Sequence, residues 1–218
     1  MLRSALFAFV VAVAGAAQAQ TVSEEEIVVT APKRGEAVAQ DLPMTLNAFS
    51  AEALSARNVE DLQSLSYAMP NVQLEDIGTA RGIANFSIRG VGINSSIASV
   101  DPAVGLFVDG LYYGLNAGSI SDLFDVEAVE VLRGPQGTLY GRNVTGGAVL
   151  VRTRGPSDAF EARARLAVET GTNVIAEAAL GGPIAEGLLS GRLAIYHGDD
   201  EGWLTNGFDG SSFGANET

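Results

Sequence analysis

Alternating apolar and polar residues near the end of the chain predict antiparallel strands of about ten residues. From residue 160 to 169 the even-numbered positions are mostly apolar and the positions between them mostly charged. The alternation continues less regularly over residues 173–180 and returns over residues 188–197. Such strands match a membrane barrel with lipid outside and water inside, or a soluble β-sandwich, and the alternation alone leaves both open.

Short apolar strands interrupted by glycine fill the middle of the chain. The clearest strand predictions cover residues 86–90, 104–110 and 126–133. Asp109-Gly110 predicts a hairpin turn, because this pair accepts the positive φ angles of two-residue turns.

Two short helices are predicted before these strands. Ser50 is expected to cap a helix over residues 51–56. Asn58 is expected to cap a second helix, which Pro70 ends. Helices and strands together predict a compact α+β domain, in which helices cover one face of a small mixed sheet.

The first 19 residues have the pattern of a cleaved secretory signal peptide. Arg3 supplies the positive charge, an apolar run follows, and Ala17-Gln18-Ala19 is a typical cleavage site. The apolar run is shorter than the roughly 20 residues that a membrane-spanning helix needs. We therefore expect the chain to be exported.

Residues 20–40 form a leader that contains one short β-prone segment, residues 27–30. Acidic residues precede this segment, and Pro32 follows it. A segment of this kind can pair with an exposed sheet edge of another protein, or it can be an edge strand of the next domain. The residues alone leave both interpretations open.

Composition and charge narrow the chemistry. The chain has 218 residues, a formal net charge of −13, no cysteine and one histidine. Its 13 basic residues form no basic stripe, which argues against nucleic-acid binding. The run 210–214 matches a nucleophile elbow, but no histidine follows it, and the acidic run 199–201 is typical of a solvated loop. We predict no enzymatic activity, no catalytic residue, no cofactor and no metal site.

Several motifs, in this order and spacing, resemble those of the TonB-dependent outer-membrane receptors. Residues 26–31 resemble a TonB box, and residues 129–141 resemble the signature of the plug domain. Residues 87–90, 108–110 and 145–151 resemble further plug motifs. The resemblance covers essentially the whole chain.

The resemblance implies an α+β plug domain over residues 41–155 and the first antiparallel strands of an incomplete transmembrane β-barrel over residues 156–218. It implies that the TonB box consists of Glu26, Ile27, Val28, Val29, Thr30 and Ala31. It implies structural or gating roles for the plug residues Arg89, Gly90, Asp109, Gly110, Arg133, Gly134, Gly137, Tyr140, Gly141, Arg142, Gly146 and Gly147. The arginines beside glycines can pair with acidic groups of a barrel wall or be ordinary surface arginines.

The resemblance also implies active transport of a scarce ligand, such as a siderophore–iron complex, a cobalamin or an oligosaccharide, across the bacterial outer membrane. The implied partners are TonB of the inner membrane, outer-membrane lipid and the small-molecule ligand. A secreted plug-only periplasmic module and a non-functional truncated product are the alternatives. Because about three strands cannot close a barrel, we expect the residues after the plug to be poorly ordered or irregularly paired.

Overall fold

The structure is a computed structural model of the chain. It describes residues 28–29, 37–38, 44–76, 83–93, 95, 97, 100–114, 123–169, 173–185, 187–200, 204–210, 212–213 and 216–217. The predicted signal peptide lies outside the described residues, as do four members of the predicted TonB box, Glu26, Ile27, Thr30 and Ala31. Parts of the runs 199–201 and 210–214 lie outside them as well.

The described elements are short in the first two thirds of the chain and long afterwards. In chain order the strands are β1 (Val28–Val29), β2 (Ala37–Val38), β3 (Leu46–Ser50), β4 (Val72–Asp76), β5 (Ala84–Ile88), β6 (Val91–Gly92), β7 (Val104–Val108), β8 (Leu111–Tyr113), β9 (Val126–Arg133), β10 (Gly147–Thr153), β11 (Glu161–Glu169), β12 (Asn173–Ala185), β13 (Leu189–Asp200), β14 (Leu204–Thr205), β15 (Ser212–Phe213) and β16 (Asn216–Glu217). The helices are α1 (Ala51–Ala56), α2 (Leu62–Ser66) and α3 (Gly137–Tyr140).

A five-stranded mixed sheet in the order β3-β9-β10-β7-β8 is the centre of the first domain. Strands β7 and β10 run parallel, and the other neighbours are antiparallel. The hairpin between β7 and β8 turns at Asp109 (φ 48°) and Gly110 (φ 80°), as predicted from the Asp-Gly pair. The mixed sheet with short helices confirms the predicted α+β plug fold.

The two helices before the sheet have different caps, and one prediction is wrong. Ser50 caps α1 as expected. Asp61, not Asn58, caps α2, and it forms a capping box with Ser64. Asn58 instead has φ 52° and donates its backbone N–H to the carbonyl of Ser55, so it belongs to the end of α1. None of the helices in the described part of the chain is long and apolar enough to cross a membrane.

The core of the plug lies on the face of the mixed sheet that α1, α2 and the β4-β5-β6 sheet cover. Val129 and Val131 of β9 and Val149 of β10 are fully buried there. The opposite face carries a smaller cluster around Phe107 and Leu132. Both faces are therefore largely apolar, although the Phe107 face also carries the buried charged residue Glu130.

The last strands form a regular antiparallel meander, β11-β12-β13, which β16 extends. Pairing runs without a break from Glu161 opposite Gly181 to Glu169 opposite Asn173. The expected irregular pairing is therefore wrong for residues 161–200, where only one register shift occurs, between Pro183 and Ala185. The physical reason is that consecutive antiparallel strands satisfy their main-chain groups by pairing with each other, which does not require a closed barrel.

The predicted division of the meander into an apolar and a polar face is present. Leu166 and Leu193 lie on the face away from the plug and are 73% and 60% exposed. Arg165 and Arg192 lie on the other face, toward the plug. An exposed apolar face opposite a polar one is typical of strands that face lipid.

Candidate functional site

The polar face of the meander meets the plug at a bidentate ion pair. Arg192 of β13 donates from Nε to Asp125 Oδ2 over 2.6 Å and from Nη2 to Asp125 Oδ1 over 2.5 Å. The two side chains are 7% and 9% exposed. The backbone carbonyl of Asp125 also accepts a hydrogen bond from Arg154 N over 2.8 Å. Asp125 thus joins the start of β9, the end of β10 and the wall formed by β13.

Two further contacts join the same surfaces. Arg165 of β11 forms ion pairs with Glu60 of the plug and with Glu177 of β12. The rings of Phe124 and Tyr196 pack with their centroids 5.8 Å apart. The ion pairs and the aromatic contact match the water-facing side of a membrane barrel rather than its lipid side.

A cavity of about 580 Å³ lies between α1 and the strands β11 and β12. Glu60, Asp125 and Arg165 line it together with apolar residues of both surfaces. The plug and the meander therefore touch at ion pairs and an aromatic contact, with open space between them. Such a gap is compatible with movement of one part against the other.

Asp109 and Gly110, two predicted plug residues, stabilise the β7–β8 turn. Asp109 accepts hydrogen bonds from the backbone N and from Oγ1 of Thr153, both over 2.8 Å. The turn is thereby fixed to the end of β10. Gly110 takes a positive φ that residues with a side chain rarely adopt.

Gly147 is required by the close approach of β9 and β10. Its φ is 151°, and a Cβ atom built on it would lie 2.2 Å from the carbonyl oxygen of Leu132. A Cβ on Gly146 would lie 2.7 Å from the carbonyl oxygen of Val91. These glycines therefore have packing reasons to be present.

Tyr140 belongs to the smaller apolar cluster, together with α3. Its ring meets Phe107 edge-on with centroids 5.0 Å apart. Burial raises the pKa of Tyr140 to about 12, and the charge of Glu130 adds to the shift. Glu130 is a carboxylate within the plug, only 2% exposed.

The loop around α3 holds the remaining predicted plug residues. Gly134 and Gly141 have φ angles of 94° and 84°, whereas Gly137 opens the helix and a Cβ there would meet nothing. Gly90 has φ 78° and follows Arg89, which has φ 54°. This turn ends β5 at Ile88, two residues before the predicted end.

The three arginines beside glycines do not form one cluster with acids among the described residues. Arg89 and Arg142 are exposed. The Nε atom of Arg133 is buried and has no hydrogen-bond partner in the described structure. Pairing with a barrel wall thus stays a prediction for all three.

Two residues of the predicted TonB box are described. Val28 and Val29 pair antiparallel with Val38 and Ala37 and form a separate two-stranded sheet. Val29 is fully buried. Its role in coupling is not tested by this geometry and stays a prediction.

Sequence reasoning missed the residues that join the plug to the strands. Asp125 and Arg192 are 67 positions apart, and no motif links them. A weak signal exists, since the alternation over residues 188–197 puts Arg192 on the polar face of its strand. Among the residues with a described position, no group of acidic or histidine side chains could hold a metal ion.

Comparison with known proteins decides the family. The sequence model of the TonB-dependent receptor plug domain matches residues 38–148. The chain belongs to this family. It is 34% identical over 197 residues to the pesticin receptor of Yersinia pestis, a match that covers 89% of this chain and 29% of that receptor.

Solved structures agree with this result. The ferric yersiniabactin uptake receptor FyuA from Yersinia pestis matches 80% of this chain and 27% of its own, with a TM-score of 0.69 and 34% identity. The ferripyoverdine receptor of the outer membrane of Pseudomonas aeruginosa matches in fold, with a TM-score of 0.68 at 18% identity, over 82% of this chain and 23% of its own. The chain spans less than a third of the length of these relatives.

An iron-regulated outer membrane virulence protein of Vibrio cholerae is 32% identical over 144 residues, 63% of this chain and 21% of that protein. The relatives confirm the predicted family, the plug fold followed by antiparallel strands, and the predicted location in the cell outer membrane. The soluble β-sandwich is thereby set aside. The family is one of receptors rather than of enzymes.

Proposed function

We propose that this chain is the N-terminal gating part of a TonB-dependent transporter, which moves a scarce ligand across the outer membrane. The observation that carries the proposal is the buried ion pair between Asp125 and Arg192. It fastens a compact plug to the polar face of strands whose opposite face is apolar and exposed. This arrangement suits a gate held inside a membrane wall.

A ferric siderophore is the ligand class that we favour. The 34% identical structure is a ferric yersiniabactin uptake receptor. A vitamin B12 transporter of Vibrio vulnificus is 24% identical over 135 residues, so a cobalamin is the next class to test, followed by an oligosaccharide. No catalytic role is part of the proposal.

The proposed division of labour follows the predicted domains. Residues 1–19 direct export, and residues 20–40 carry the TonB box at positions 26–31. Residues 41–155 form the plug, and residues 156–218 begin the barrel. TonB pairs with the box and draws part of the plug aside, with outer-membrane lipid around the strands.

The alternative of a plug-only periplasmic module is less well supported. Such a module has no use for strands with an exposed apolar face. Leu166 and Leu193 would face water in it, at a cost in solubility. The ion pair of Arg192 further argues that plug and strands work as one unit.

Uptake of radioactive iron supplied as a ferric siderophore tests the proposal. The cells are the bacterium that carries the gene, grown with little iron, and the variant is Val28→Pro, which removes a main-chain donor from the box. We expect uptake to be lost while binding of the ferric siderophore to the cell surface remains. Thr21→Pro, outside the box, is the matched control and should leave uptake unchanged. Unchanged uptake in Val28→Pro would contradict the proposed coupling role.

A further inference from the structure

Arg165 of β11 has two acidic partners, one in the plug and one in the meander. It pairs with Glu60 of the plug and, over 3.3 Å, with Glu177 of β12. Glu177 lies directly opposite Arg165 in the β11–β12 ladder, so strand pairing holds these two side chains together wherever the plug lies. The side chain of Glu177 is only 17% exposed, and partial burial strengthens a charge pair relative to one in open water.

Arg192 of β13 repeats this arrangement. It pairs with Asp125 of the plug and, over 3.5 Å, with Glu161 of β11. The contact with Glu161 crosses the middle strand at Gly181, which lies opposite both residues. A Cβ atom on Gly181 would lie 2.9 Å from Nη1 of Arg192. The absence of a side chain at this position therefore leaves the space through which the guanidinium group reaches Glu161.

Separation of the plug from the meander would break only one contact of each arginine. A buried charge that loses every partner is costly, so an arginine with partners in the plug alone would hold the plug in place. Glu161 and Glu177 belong to the meander and stay within reach of their arginines when the plug leaves. The cavity between α1 and the strands β11 and β12, which Glu60 and Glu177 both line, gives room for that separation.

We propose that the meander residues Glu161 and Glu177 are positioning residues for the opening of the gate. Each takes over its arginine when the acidic partner in the plug leaves. The inference rests on the proposed function, in that the plug moves against the meander. It adds a role for the two acids, which is to lower the free energy of the open state rather than to strengthen the closed one. A purely structural role has the opposite sign, since removing such an acid would loosen the plug.

A buried cysteine on the meander reports the opening. Ala179 of β12 lines the cavity and is 3% exposed. The chain contains no cysteine, so Ala179→Cys introduces a single thiol. Its reaction with a polymer-coupled maleimide that is too large for the cavity is measured on the full chain in detergent. The rate follows the fraction of molecules in which the plug and the meander are apart.

Glu177→Gln should slow this reaction by about two- to fivefold, because Arg165 loses the partner that it keeps in the open state. Glu161→Gln should slow it for the same reason. Glu127→Gln is the matched control, since the ion pair of Glu127 lies within the plug, and it should leave the rate unchanged. An unchanged or faster reaction in either Glu177→Gln or Glu161→Gln would overturn the inference.

A change in the plug decides whether Glu177 acts through Arg165. Glu60→Gln should speed the reaction, because it removes a contact of the closed state alone. In that background Glu177→Gln should no longer slow the reaction, since Arg165 has no plug partner to exchange. Persistent slowing in the double variant would mean that Glu177 acts elsewhere, and it would contradict the proposed exchange.

A second reporter separates opening of the gate from general unfolding. Ala148 is fully buried within the plug, and Ala148→Cys should respond to Glu177→Gln less than Ala179→Cys does. Equal slowing at both positions would mean a general effect on the stability of the chain, and the inference would fall. The labelling needs neither ligand nor TonB, so its failure leaves the proposed function standing. Unchanged uptake in Val28→Pro would instead refute the coupling role, whatever the labelling shows.

Discussion

The plug keeps apolar side chains in its interior, whereas the strand meander exposes them on its outer face. Leu132 of β9 is fully buried, whereas Leu193 of β13 is largely exposed. Buried charges occur in both regions, since Glu130 lies within the plug and Arg192 lies where the meander meets it. The comparison teaches that burial here depends on which solvent a face meets, water or lipid, and that the ion pair lies where the two polar surfaces join.

Breaking the joint between the two regions should have the largest effect. Asp125→Ala removes the bidentate partner of the largely buried Arg192 and leaves it only Glu161, 3.5 Å away. We expect a loss of about 3 kcal/mol in the free energy of unfolding of the chain. Urea unfolding of the chain in detergent measures it. Glu60→Ala, at a more exposed pair, is the control and should cost no more than about 1 kcal/mol. Adding Arg192→Ala to Asp125→Ala should recover part of the loss, and a double variant that is as unstable as the sum of both would contradict this account.

Truncating one leucine in each region tests the contrast between buried leucines in the plug and exposed leucines in the meander. Leu132→Ala should destabilise the plug by about 2–5 kcal/mol, since it removes buried contacts and leaves a cavity. Leu193→Ala should cost clearly less, because its side chain faces the apolar solvent and no cavity forms. Urea midpoints of both variants, measured in the same detergent, decide the point. Equal losses would mean that the meander buries Leu193 as the plug buries Leu132.

An arginine on each exposed apolar position distinguishes lipid from water. Leu193→Arg should destabilise the strands by about 2–4 kcal/mol in a bilayer near its midplane, because the charge enters hydrocarbon. Leu111→Arg, at a position that is 74% exposed on the plug hairpin, should change stability by less than about 0.5 kcal/mol. Unfolding from lipid vesicles measures both. A small effect at both positions would place the apolar face of the meander in water.

The smallest expected effect concerns the pH dependence of an exposed contact on the plug side. A hydrogen bond from its own backbone N–H is the main cause that lowers the pKa of Glu52 below 4.5, and Ser50 and Arg154 contribute. A lowered folded-state pKa gives stability that is present above the unfolded value and lost as the pH falls through the folded one. Since Glu52 is largely exposed, we expect less than about 1 kcal/mol. The difference between the urea midpoint at a pH above 4.5 and the midpoint at a pH below the folded-state pKa should be larger for the natural chain than for Glu52→Gln.

Much of the fold could be predicted from local patterns. The bounds of β9 follow from one segment rich in valine and leucine, and the turn at Asp109 follows from two adjacent residues with a known backbone preference. The cap of α2 was missed because Asn58 and Asp61 are both good caps, and only the geometry after α1 decides between them.

The joint between plug and strands could not be predicted in the same way. Asp125 and Arg192 are brought together by the packing of two separate sheets, and no periodicity records a contact of that kind. The roles of the predicted TonB-box and plug residues, by contrast, come from sequence motifs alone. The geometry explains why glycine is needed at position 147, but it does not test the role that the motif implies for Gly147.

Asp125 has a mechanical consequence. Its carbonyl accepts a hydrogen bond from Arg154 N and so closes residues 125–154 into a ring, and its carboxylate fastens that ring to Arg192 of β13. In the β3–β9 ladder, Leu46 lies opposite Leu132 and Ser50 opposite Ala128, so the leader enters at one end and the fastened ring begins at the other. Tension applied through the leader would load this ladder at opposite ends. Its five residue pairs would then share the load and resist together, instead of opening one after another as a zipper does.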